Sequence, residues 1–139
     1  MADLLIVPAL IMGLVIGIIE LVFVHSDEQG MGWLTHGLHA IPIMMIFIFA
    51  SMNVGWVLGF FGKTELEFGI WAVIGVRALI AVIATLKIGA AAAIAGRVGE
   101  KIYHSLIVGV LVAAAPYIWQ FALHPLLSPI WPWKGIFGI

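Results

Sequence analysis

Four apolar stretches partition this chain, and each is long enough to cross a bilayer as an α-helix. A crossing takes about 20 apolar residues at a rise of 1.5 Å each. The stretches cover about 4–24, 41–61, 68–86 and 105–123, and nearly all the charge lies between them. Backbone N–H and C=O groups inside hydrocarbon must bond within the protein, so such stretches fold as helices. The expectation is a single membrane domain over residues 1–139. It is an all-α integral membrane protein with four transmembrane helices in an antiparallel bundle.

Composition excludes the alternatives. The chain is 64% hydrophobic and 9% charged, with a mean hydropathy of +1.22. Soluble domains carry about a quarter charged residues, and a water-exposed fold with so few would aggregate through its apolar patches. Disordered chains are polar, which this one is not. Six Lys and Arg against seven Asp and Glu leave a net charge of −1, with no basic patch for nucleic acid. With no cysteine, disulfides, thiolate metal sites, iron–sulfur clusters and cysteine nucleophiles are all excluded.

The first stretch lacks the basic start of a signal peptide and reads as an uncleaved helix. The polar residues His25 to Gly32 form the loop after it. The second apolar run begins at Trp33. Its first turns, with His36 and His39, are expected in the interface, Pro42 at the boundary, and Ile43 to Phe61 in the crossing. The third helix is expected to start at Phe68 and to continue past Lys87 to about residue 99. Pro116 falls inside the fourth, where a kink is tolerated if a neighbour satisfies the freed carbonyl. From His124 onward, Pro125, Pro129 and Pro132 argue against a regular helix, while Trp131, Trp133 and Lys134 suit the headgroup level. The tail, 124–139, is therefore expected as an interfacial strap. Four crossings put both termini on one side with Lys63 and Lys134, against Lys87, Arg97 and Lys101 on the other. Basic residues favour the inside, so three against two places the termini outside.

Two charges fall inside the expected spans, Glu20 and Arg77. Arg77 stands near mid-membrane, where a charge costs at least about 2.5 kcal/mol and must face protein or water. Asn53 lies at a matching depth as a possible partner, and Glu20 sits roughly 7 Å nearer its own surface. Glu20, Asn53 and Arg77 could line a proton or ion path through a small channel or carrier. Equally, they could be a buried clamp that registers the helices.

A histidine set gathers on the other face. His25, His36, His39 and His104 share one side of the membrane with Asp27, Glu28 and Glu100. His36 and His39, at i and i+3, point from one side of a helix and could hold a divalent metal with a carboxylate as third ligand. One of them could bind haem opposite His104, though only close to the surface. Interfacial histidines also bond headgroups, water and loop carbonyls, and no nucleophilic triad or phosphate loop is present.

Small residues recur four apart: Ala9, Gly13 and Gly17, with Glu20 on the same face, then Gly55 and Gly59, then Ala92, Gly96, Ala95 and Gly99. Such rows let helices approach closely in lipid. They serve packing within the bundle or docking onto other transmembrane subunits or copies of the chain. With almost no extramembrane domain to hold a large substrate site, the chain is expected to be a non-catalytic, lipid-bound accessory component. It would belong to a larger redox or translocating membrane complex, or to a homo-oligomer.

Overall fold

The computed structural model describes residues 4–27, 32–62, 65–94 and 101–130. Among these residues the regular structure is all helical, and four helices are long and apolar enough to cross a membrane. In chain order the elements are α1 (Ile6–Asp27), α2 (Trp33–Met52), α3 (Val54–Gly59), α4 (Glu65–Phe68), α5 (Ile70–Ile94) and α6 (Ile102–Ile118). A π-helical turn (Trp119–Leu123) and α7 (His124–Leu127) follow.

Glycine sets the closest helix pair. A Cβ added at Gly13 would stand 3.1 Å from Met45 Cα, and one at Gly17 would stand 3.3 Å from Ile41 Cα. Gly37 faces Leu21, and the His25 ring stacks on Trp33. Each step of four forward on α1 thus meets a step of four back on α2. The small-residue row of the first span is the ridge on which α2 lies. Beside it, Met12 and Ile16 of α1 and Met44 and Ile48 of α2 are buried. They join Val108, Val112 and Ala115 of α6 and Ala84 and Ile88 of α5 in one core.

The second apolar run breaks earlier than the sequence suggests. α2 starts at Trp33 and carries Pro42 in its interior, and it ends at Met52 instead of running on to Phe61. Asn53 supplies the reason. Its backbone leaves the helical region at φ −108°, ψ 23°. Its buried amide is committed elsewhere: Leu5 N–H donates to Oδ1 (2.7 Å), and Nδ2 donates to Phe49 O (2.9 Å) and Leu5 O (3.3 Å). A side chain from the end of α2 thereby caps the start of α1, where backbone donors have no partner inside the helix.

Two further differences concern the later spans. Gly69, at φ +83°, separates α4 from α5, a conformation that suits glycine. The helix does not stop at His124 either. It continues through the π turn into α7, where His124 N–H reaches back to Trp119 O and Pro125 follows directly after that turn. Trp131, Pro132, Trp133 and Lys134 lie outside the described residues.

Pro116 shows how the bundle handles a lost bond. Its ring removes the N–H that would reach Val112 O. The fully buried Ser51 hydroxyl donates to that carbonyl at 2.7 Å. Ser51→Ala should cost about 1 kcal/mol of stability in micelles, within the range for hydrogen bonds in membrane proteins. In a Pro116→Ala background, where the backbone can bond Val112 itself, the same substitution should cost almost nothing. A double-mutant cycle in an SDS unfolding assay measures the difference. Equal costs in both backgrounds would disconnect Ser51 from the proline.

Candidate functional site

Polar side chains of the spans concentrate at two levels. The first is a node around Arg77. Its Nε donates to Ser51 O (3.3 Å), and its Nη1 donates to Tyr117 Oη (3.2 Å), with the guanidinium 5.4 Å from the Tyr117 ring centroid. Ser51 therefore serves twice, its hydroxyl holding α6 and its carbonyl holding α5. Asn53 is the expected partner of Arg77; Arg77 instead bonds Ser51 O and Tyr117, and Asn53 bonds Leu5 and Phe49. By the α1–α2 register, Ser51 is level with Val7, so Glu20 lies roughly 20 Å away along the helix. Glu20 and Arg77 thus sit at different depths.

Nearer the other end, Thr85 Oγ1 donates to Ala81 O (2.9 Å) and is 3.3 Å from Ser105 O. Gly109 makes this contact possible. A Cβ there would overlap Thr85 Oγ1 and stand 3.1 Å from Ala81 O.

The second level is the end of the bundle where α1 leaves and α6 begins. Asp27, its side chain 2% exposed, accepts from His104 Nδ1 (2.5 Å), Lys101 backbone N–H (3.0 Å) and Lys101 Nζ (3.3 Å). One carboxylate thus fastens the end of α1 to the start of α6, where a helix presents its positive pole. The hydrogen bond that Lys101 donates to the Asp27 carboxylate holds its ammonium above the usual lysine value. A raised value on a base means its contribution is complete below the ordinary lysine pKa. It is lost only as pH rises through the raised one, so this arm is intact at neutral pH. Phe23 stacks flat on the His104 ring at 4.2 Å, and Tyr103 meets it edge-on.

Beside this latch, His25 Nδ1 lies 3.3 Å from His36 Nδ1. Glu20 and His36 are buried at 3% and 1% exposure. His39 is separated from its expected companion. It is exposed, and its Nδ1 donates to Thr35 O at 2.8 Å. The i, i+3 spacing spreads the two rings across the border between buried row and outer surface, and the carbonyl one turn back draws His39 outward. Glu28 and Glu100 lie outside the described residues. Among the described residues, no three His, Asp or Glu side chains are placed to share a metal ion.

Sequence reading singled out Glu20, Arg77, Asn53 and the histidines but passed over Ser51, Thr85, Gly109 and Tyr117. The hydroxyls carried a usable signal, since a Ser or Thr in an apolar span needs an acceptor. No known protein family, curated protein or solved structure matches this chain.

Proposed function

We propose that the chain is a small four-span membrane subunit, an antiparallel bundle with both termini on one side. It has a structural role in a larger membrane assembly or with copies of itself. One observation supports this most. At the depths where a transport path would run, Ser51, Arg77 and Thr85 bond the carbonyls of neighbouring helices, and Asn53 bonds backbone on α1 and within its own helix. These groups join helices to one another.

The surface agrees with that role. Only 22% of the crossing window of α5 is buried, and Trp71, Leu79, Val82 and Leu86 lie exposed along it. Gly75 and Gly89 open onto unoccupied space, unlike Gly13, Gly17 and Gly109, which neighbouring helices fill. The outer face of α5 is the one we assign to a neighbouring transmembrane helix. Extraction in a mild detergent followed by native mass spectrometry tests the proposal. The expected result is a stoichiometric complex, with partners or copies. A lone 15.0 kDa chain under conditions that preserve other complexes would overturn it.

A further inference from the structure

Three buried rows of the core end at the same pole in ionisable residues. On α1 the row Met12, Ile16 ends at Glu20; on α2 the row Ile48, Met44, Ala40 ends at His36; on α6 Val108 gives way to His104. His104 is held by Asp27. Glu20 and His36 immediately precede Leu21 and Gly37, which face each other across the α1–α2 seam, a Cβ added at Gly37 standing 3.7 Å from Leu21 Cδ2. The acid and the imidazole therefore end adjacent rows within one helical turn of each other. From His36 the contact runs outward to His25, which is half-buried and stacks on the exposed Trp33 at 3.7 Å. The clamps deeper in the bundle use backbone carbonyls, whereas here titratable side chains face one another.

The 3.3 Å contact between two Nδ1 atoms has a strict requirement. One ring must carry the Nδ1 proton and the other must present a bare lone pair. The pair can therefore hold one shared Nδ1 proton, and full protonation of both rings breaks the contact. A buried positive charge also needs a compensating negative one, and among the described residues Glu20 is the buried acid.

We propose that Glu20, His36 and His25 form a buried proton-binding site that exchanges with the aqueous phase at the His25 end. A proton leaves hydronium at the His25 edge, releasing water, and is held as the His36 imidazolium against the Glu20 carboxylate. A second proton separates the two rings. Among the described residues, the other titratable groups at this pole are Asp27 on α1, the exposed His39 on α2, Lys101, Tyr103 and His104 on α6, and the exposed Lys87 on α5, which brings Ala84 and Ile88 to the core here. Asp27, Lys101 and His104 are bonded to one another in the latch.

The test is 15N-histidine NMR of the full chain in lipid nanodiscs across a pH series. His25 and His36 should follow one coupled, two-step titration. Glu20→Gln should lower proton affinity in the first step by at least about tenfold and leave His39 unmoved. His25→Phe keeps a ring for Trp33 to stack on, and should convert His36 to a single step. This variant decides the matter if Glu20→Gln fails to fold. Independent one-step curves for His25 and His36 in the wild type would overturn the proposal. So would an unchanged first step in folded Glu20→Gln. The curves should also be the same with and without EDTA, since sensitivity to the chelator would assign the site to a metal ion.

Discussion

Asp27→Ala should destabilise the folded chain by about 3 kcal/mol, the size of loss seen when one member of a buried charged network is removed. The carboxylate is 2% exposed and accepts from both a ring and a backbone donor of α6 as well as from the Lys101 ammonium. Truncation leaves the Lys101 amide and the His104 Nδ1 without their acceptor, and it frees the first turn of α6 from the last turn of α1. The arms of the latch should separate cleanly. Lys101→Ala removes only an ammonium that is 56% exposed, and an ion pair of that kind is screened by water and contributes little. Asp27→Asn keeps one acceptor oxygen and loses the charge, so it should fall between the two. SDS unfolding followed by tryptophan fluorescence ranks the three. Equal costs for Asp27→Ala and Lys101→Ala would mean that the latch is a surface ion pair and nothing more.

Gly109→Leu should be comparably damaging for a different reason. The seam between α5 and α6 has no room for a Cβ at this position, because Thr85 Oγ1 and the Ala81 carbonyl already occupy the space. Overpacking of a fixed interface costs about 3 kcal/mol at the upper end of the usual range. Here it also breaks the hydrogen bonds that Thr85 makes to Ala81 and Ser105. Gly109→Ala is the graded form, and Thr85→Ala should recover part of its loss by vacating the overlapped position. Gly75→Leu is the control. Nothing stands within 4 Å of a Cβ there, so the isolated chain should keep its stability while the proposed docking face is altered. If Gly109→Leu and Gly75→Leu unfold alike, close approach at Gly109 is not what joins these helices.

How far these features could be read in advance depends on where each residue finds its partner. The crossing helices were legible because span length and the apolar run are local properties. The row Ala9, Gly13, Gly17 was legible for the same reason, and Gly13 and Gly17 are indeed where α2 approaches. That a neighbour must serve the carbonyl freed by Pro116 followed from the chemistry of proline. That the neighbour is Ser51 did not, since 61 residues separate the hydroxyl from Val112. Hydropathy carried the second helix on to Phe61, because the apolar run is continuous across Asn53. The break there arises from a cap onto Leu5, 48 residues away. Local spacing joined His36 to His39, yet tertiary contacts paired His36 with His25 and turned His39 outward. The prolines after His124 suggested an early end to the fourth helix. Pro125 instead follows a π turn within one continuous helix, Ile102–Leu127.

Central to this account is the claim that the polar groups inside the spans join helices and do not line a path. Proton and cation flux across proteoliposomes, wild type against Arg77→Ala, tests it most directly. The account predicts no flux above that of protein-free vesicles in either case. A specific wild-type flux that disappears in a folded Arg77→Ala variant would contradict it.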